Sequence, residues 1–352
     1  MVSSRLTFKK WVAILLLLSA FSLLVVFGAL HYGVFKVTSS EIITTIATKA
    51  GWMHFSEAAS IEESLSVVIW DIRFKRVCLA FLVGMALSVS GCVFQALLRN
   101  PLADPHILGV SSGGALGAVL ATAFGIPLML QSFIAVPLFS FIGSLSAITI
   151  VYLLSKRKGA LSIYSLLLIG VILNSFFISI VIFIETIVSA DQLASIFFWL
   201  LGNLSNFNDT LIVVILFAVL IGIGILFSQT RNINLITLGE AKAKQLGVGV
   251  ERTKIVCFVC ASVITGLSVA VSGLIGFIGL VVPHIVRLVF GPDHRLLLPA
   301  SALMGGMLLV IADTVARTIL LPQELPVGVV TSFIGAPFFI LLLKKREHKR
   351  IF

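Results

Sequence analysis

A chain of 352 residues that is 59% hydrophobic and only 11% charged, with a mean hydropathy of +1.15, cannot hide its apolar surface inside a soluble core, since soluble chains carry about 25% charged residues. Its net charge of +10 does not point to nucleic acid either. The basic residues sit in short segments between apolar runs, and no basic stripe alternates with stacking aromatics. Lipid is therefore the solvent for most of the chain.

In chain order, a basic start (Met1 to Lys10) precedes a twenty-residue apolar run, Trp11 to Leu30. That run is longer than the apolar region of a signal peptide and reads as a retained first span. Further apolar runs lie at 77–97, 104–124, 131–154, 161–187, 210–228, 255–275, 277–290, 296–320 and 327–343. They bring the number of spans to ten and predict an all-α polytopic membrane fold, a single transmembrane domain over 1–352. The 277–290 run is short, and Pro283 breaks or kinks a helix there. A broken helix is tolerated in a membrane where it is buried in protein or lines a cavity.

Two polar segments exceed ordinary turns, 31–74 and 229–254. In the second, 238–246 reads as a short amphipathic helix. Leu238, Ala241, Gln245 and Leu246 fall toward one side, Lys242 and Lys244 elsewhere, and Gly247 and Gly249 end it. It is either a docking surface for a soluble partner or a solvated connection. Ten spans put both termini on one side, and charge selects it. With the termini in the cytoplasm, Lys9, Lys10, Arg99, Lys156, Arg231, Lys242, Lys244, Arg252, Lys254, Arg295 and Lys344 are among the basic residues inside. Lys36, Lys49, Arg73, Lys75 and Arg76 fall outside. The positive-inside rule favours this orientation in a bacterial inner membrane, with 31–74 as the extracytoplasmic loop.

Small residues recur at packing intervals, Gly113 with Gly117 and Gly273 with Gly276 and Gly279. Cys257 and Cys260 form a C-x-x-C inside an apolar run, without a second pair or a nearby His, and read as small helix residues. No Walker A motif, G-x-S-x-G or H-E-x-x-H is present, so neither a nucleotide site of the P-loop kind nor a membrane enzyme is supported. A secondary transporter usually carries acidic residues deep in its spans. Asp313 is the one clear case, and Arg317 at i+4 is its evident partner.

The remaining signals form a set: IRFKR (72–76), GCVFQALLRNPLADP (91–105), LGVSSG (108–113), GEAKAKQLG (239–247), GFIGLVVPHIVR (276–287), GPDHR (291–295), ADTVAR (312–317), ELPVGVV (324–330) and GAPFF (335–339). Over about 70–343 this chain resembles the FecCD-type permeases of binding-protein-dependent ABC importers, especially those for vitamin B12 and ferric siderophores. It departs from the family at Lys75, where many members carry Pro. The resemblance implies the type II importer permease fold. It also implies a homodimer with the pathway at its two-fold interface, two cytoplasmic ATPase subunits that bind the ATP, and an extracytoplasmic substrate-binding protein. The cargo it implies is a metal chelate (ferric siderophore, haem or cobalamin), with molybdate-type oxyanion transport as the alternative. Neither a cofactor nor catalysis is expected of this chain. Residue by residue, Asn100 and Leu102 match the cytoplasmic gate. Arg73, Arg76 and Arg317 match the arginines that receive the binding protein's carboxylates. Gly239, Glu240, Ala241, Gln245, Leu246 and Gly247 match the ATPase-coupling segment. By residue type alone, the three arginines read rather as interfacial anchors, with Arg317 able to snorkel to water from the end of its span or to serve as the local partner of Asp313.

Overall fold

The structure, a computed structural model, describes residues 7–52, 63–126, 132–157, 160–205 and 208–348. Helix α1 (Phe8–His31) starts at what we call the near end of a helical bundle and finishes at the far end. There α2 (Ser39–Lys49) is opened by a capping box: Thr38 N donates to Glu41 Oε2 at 2.7 Å, and Glu41 N donates to Thr38 Oγ1 at 3.4 Å. One continuous helical stretch, Glu63–Leu97, then returns to the near end. It consists of α3 (Glu63–Val67), a π-helical segment (Val68–Phe74) and α4 (Lys75–Leu97). The second span thus begins well before residue 77, and much of the 31–74 segment is helix. The widened π spacing buries Ile69 and stacks Trp70 on Phe74, with ring centroids 4.7 Å apart.

A 3₁₀ turn (Pro105–Leu108) leads into α5 (Val110–Ala123), followed by α6 (Ser132–Ser155). A two-residue antiparallel pair, β1 (Lys156–Arg157) with β2 (Ala160–Leu161), separates α6 from α7 (Ile163–Glu185). Then come α8 (Ala190–Leu200), α9 (Asp209–Ser228), α10 (Thr230–Thr237), α11 (Glu240–Gln245), α12 (Val250–Ser272), α13 (Ile278–Phe290), α14 (His294–Thr318) and α15 (Val327–His348). Each expected apolar run has its helix. Among the described residues seven helical stretches are long and apolar enough to cross a membrane, and α5, α13 and the apolar part of α15 are shorter. At 1.5 Å per residue, the 14 and 13 residues of α5 and α13 span about 20 Å, short of the roughly 30 Å of a bilayer core. The 3₁₀ turn Pro105–Leu108 precedes α5, and a non-helical stretch, Gly273–Phe277, precedes α13.

Helix α4 is the axis of the bundle, its apolar window 83% buried, with α12, α13 and α14 packed around it. Missing side chains let the backbones meet. A methyl group on Gly84 would strike the carbonyl of Gly305, and one on Gly91 the carbonyl of Gly279. Gly113 and Gly117, anticipated as a packing pair, do the same against Gly143 and Phe139 of α6. Of the second glycine series, Gly273 and Gly279 abut backbone, but Gly276 faces open space. By contrast α1, α7 and α9 are largely exposed, their outer faces being as apolar as their packed ones.

Pro283 lies inside α13 and cannot donate to the carbonyl of Gly279. The Gln95 side chain fills the gap, its Nε2 donating to Gly279 O at 3.4 Å and Leu280 O at 3.1 Å. The helix expected to break or kink at Pro283 instead runs through it, from Ile278 to Phe290, with the freed carbonyl capped from α4.

Candidate functional site

At the far end the three arginines are all buried, at 3% for Arg73 and 5% each for Arg76 and Arg317. Arg73 Nη1 donates to Leu30 O at 2.9 Å and its Nη2 to Phe35 O, which ties the end of α1 to the π-helical segment. Arg76 Nε donates to Asp313 Oδ1 at 2.9 Å, and its Nη1 to Glu324 Oε2 at 2.7 Å. Arg317 Nε lies 3.0 Å from Asp313 Oδ2, an ion pair without hydrogen-bond alignment. Asp313 is fully buried and bridges two guanidinium groups, an arrangement that offsets the desolvation of all three. The i+4 pairing of Asp313 with Arg317 is as expected from sequence. Snorkelling is not, since Arg317 reaches the Tyr32 carbonyl at 3.5 Å and Thr314 Oγ1 at 3.4 Å rather than water. Arg73 and Arg76, three residues apart, turn to different partners. Glu324, whose side chain is 49% exposed, is the member of this network most open to solvent.

At the near end α4 finishes in a left-handed residue, Arg99 (φ 49°), and Asn100 N reaches back to Gln95 O at 3.1 Å. Glycine is the usual occupant there, and an arginine costs about 1 kcal/mol of backbone strain. Asn100 Oδ1 accepts from Leu102 N at 2.9 Å, and Asp104 caps the 3₁₀ turn through His106 N at 2.8 Å. These bonds fix the loop of the expected gate residues Asn100 and Leu102, with Leu102 exposed. The turn rests on α7, where a methyl group on Gly170 would sit 2.9 Å from Leu108 Cα.

The 229–254 segment holds two helices where sequence reading expected one. Helix α10 is fixed by Asn234, whose Nδ2 donates to Asp293 Oδ1 at 2.8 Å and whose Oδ1 accepts from His294 N at 3.0 Å. Burial opposes ionisation of Asp293, but hydrogen bonds from Arg295 and Asn234 prevail and hold its carboxyl down to about 2. Helix α11 occupies Glu240–Gln245 rather than 238–246, bounded by Gly239 (φ 127°) and Gly247 (φ 81°). Its inner contact is Ala243, packed with Ile236 and Val250. Ala241 and Gln245 are exposed. Leu238 and Leu246 are 66% and 64% exposed, although the helix lies outside the spans. Glu240 turns inward to Lys254, its Oε2 2.8 Å from Nζ.

Between the two ends, the backbone breaks over Gly273–Phe277, between α12 and α13, and Phe277 adopts a left-handed conformation (φ 68°). Beside the break opens a cavity of about 620 Å³, bordered by His106, Leu200, Leu274, Gly276, Phe333 and Pro337 among others. Helix α8, on its rim, was not expected. Its signal was present in the capping box of Ser189 and Gln192, where Gln192 N donates to Ser189 Oγ at 3.4 Å. His106 is fixed by a 2.8 Å hydrogen bond to Ile275 O. Among the described residues no group of three His, Cys, Asp or Glu side chains gathers to hold a metal. Cys257 and Cys260 are free thiols between helices, Cys260 Sγ lying 3.5 Å from Gly222 O.

A bundle of apolar helices with an unwound link and a cavity beside it is a geometry that transport permeases use. The FecCD transport family matches residues 16–345. An uncharacterized ABC transporter permease protein of Bacillus subtilis, YvrB, is 46% identical over 286 residues, 80% of each chain. The hemin transport system permease protein HmuU of Yersinia pestis is 43% identical over 289 residues, 80% of this chain and 85% of that one. A solved inward-facing metal-chelate-type ABC transporter matches with a TM-score of 0.81 and 31% identity, over 95% of this chain and 99% of that one. The chain belongs to the FecCD transport family and is the permease subunit of an ABC importer. Members of this class work with an ATPase and a substrate-binding protein.

Proposed function

We propose that two copies of this chain form the membrane pathway through which a metal chelate (ferric siderophore, haem or cobalamin) is imported at the expense of ATP hydrolysed by a partner. The observation that carries this reading is the cavity beside the Gly273–Phe277 break. Its lining is mostly apolar and includes no Lys or Arg. An oxyanion such as molybdate would call for charge-assisted donors there, so a bulky, largely apolar complex fits better. The chain itself makes and breaks no bond and needs no cofactor in this role.

The near end is cytoplasmic in this reading, as the basic residues of the 229–254 segment favour. The exposed Leu238 and Leu246 then offer an apolar seat to the ATPase. Asn100 and Leu102 border the exit. The binding protein approaches the far end, where Arg73, Arg76 and Arg317 supply positive charge behind the half-exposed Glu324. Because the guanidinium groups are buried, they act through the field at the rim or by exchanging Glu324 for a partner carboxylate.

Uptake by proteoliposomes holding the permease with its ATPase and binding protein tests the proposal. Accumulation of one chelate should stop on ATP depletion and survive an uncoupler, with unlabelled chelate but not molybdate competing. Accumulation that collapses with the uncoupler and persists without ATP would make the protein a secondary transporter.

A further inference from the structure

Lys254 is nearly absent from the surface, its side chain 5% exposed, although it sits only four residues into α12 at the near end. Its Nζ lies 2.8 Å from Glu240 Oε2 on α11 and 3.2 Å from Glu251 Oε1 on its own helix. It also donates to Leu161 O at 3.4 Å, in the strand pair between α6 and α7. Glu251 closes the loop by accepting from Leu161 N at 2.8 Å through its other oxygen. The second oxygen of Glu240 faces Arg99 Nη2 at 3.9 Å. One buried ammonium therefore joins α11, α12 and the α6–α7 connection. Through Glu240 it also reaches Arg99, the second residue past the end of α4 and next to Asn100.

We infer that Lys254 is a positioning residue for transport, which transmits displacement of the ATPase seat α11 to the α6–α7 connection and to the loop of Asn100 and Leu102 at the proposed exit. The inference rests on the reading of α11 as that seat. Two cations and two carboxylates neutralise one another, so the node is stable as a unit and costly to split. If Glu240 leaves, the buried ammonium loses the shorter of its two ion pairs and keeps only Glu251 at 3.2 Å and the Leu161 carbonyl. A push on the exposed face of α11 is thus passed on rather than absorbed by the hinges at Gly239 and Gly247, whose positive φ values would otherwise let α11 swing alone. Arg99 adds a second sign. A glycine would occupy its left-handed position without strain, yet the residue present is one whose guanidinium faces Glu240.

The test uses the assembled transporter in proteoliposomes and measures chelate imported per ATP hydrolysed. Lys254→Met keeps the length of the stem and removes the charge. It should leave the ATPase bound and hydrolysing while the transport ratio falls about tenfold, the change that about 1.4 kcal/mol of coupling free energy produces. Lys254→Arg should retain most of the ratio. Arg99→Gly, which relieves backbone strain and so folds, should lower the ratio several-fold. An unchanged ratio in a normally folded Lys254→Met transporter overturns the inference, and so does an unchanged ratio in Arg99→Gly if Lys254→Met does not fold. Loss of the ATPase from Lys254→Met also overturns it, because the lysine would then serve the seat itself. Failure of the wild-type permease to hold the ATPase through α11 is a separate result, which removes the seat and not the node.

Discussion

Asp313→Asn is the sharpest probe of the far-end network. In the folded chain Asp313 is fully buried, with guanidinium nitrogens of Arg76 at 2.9 Å and Arg317 at 3.0 Å. At about 3 Å and an effective dielectric constant near 20, each contact is worth about 5 kcal/mol of Coulomb energy before desolvation is charged against it. Arg76 keeps Glu324 at 2.7 Å when the Asp313 charge is removed. Arg317 keeps only a carbonyl at 3.5 Å and a hydroxyl at 3.4 Å. One guanidinium is then left buried and uncompensated, which costs about 3–5 kcal/mol. Glu324→Gln removes a half-exposed partner and should cost no more than about 1 kcal/mol. Thermal unfolding of the purified permease in detergent, with membrane abundance measured in parallel, should separate the two variants clearly. Replacing both members of the pair, Asp313→Leu with Arg317→Met, should recover part of the loss, because an apolar pair strands no charge. If Asp313→Asn is no less stable than Glu324→Gln, the three groups are not acting as one buried network and the energetic argument fails.

Four further outcomes follow from the same geometry. A cysteine at Trp52, exposed at the far end, should react with an impermeant thiol reagent applied outside intact cells, whereas one at exposed Lys244 should react only after permeabilisation; the reverse pattern would invert the orientation. Leu246→Asp should release the ATPase from the purified complex while leaving the permease folded, since Leu246 makes its surface available rather than packing inward; retention of a coupled ATPase would move the seat elsewhere. Gly91→Ala drives a methyl group into the Gly279 carbonyl and should cost about 3 kcal/mol or more, so that normal abundance and melting would show that α4 and α13 can part. Binding-protein capture should weaken as ionic strength rises, because rim charges are screened within about 10 Å at 0.1 M salt; capture insensitive to salt would leave the arginines a structural role alone.

The spans were legible in the sequence because lipid imposes a length and an apolarity that no tertiary contact overrides, from Trp11 in the first to Phe339 in the last. Irregular pieces were less so. Helix α8 lies in an eleven-residue stretch, too short for a span signal, and only the Ser189–Gln192 capping pattern marked it. The early start of the second span was hidden because the π-helical segment disturbs the 3.6-residue period that would announce it. Among the site residues, the Asp313–Arg317 pair was visible because its partners are one helical turn apart. Arg76 with Asp313, 237 residues distant, and Lys254 with Glu240 were not, since nothing local in the sequence says which charge meets which. Exposure was the other blind spot: Arg73, Arg76 and Arg317 read as surface charges, yet each finds its acceptors within the chain.

The glycine contacts along α4 have a mechanical side. Gly84 sits against Gly305 and Gly91 against Gly279, so α4 is keyed into both α14 and α13 by backbone bearing on backbone. Sliding either neighbour by one residue would bring a side chain to a place where not even a methyl group fits. Helices α4, α13 and α14 can therefore be carried together as a spindle but not drawn past one another. The freedom to open one end while the other shuts has to reside in pieces that are not keyed to α4, the unwound Gly273–Phe277 link and the short helix α8 at the cavity's edge, which bear on each other where Gly273 meets the Trp199 carbonyl.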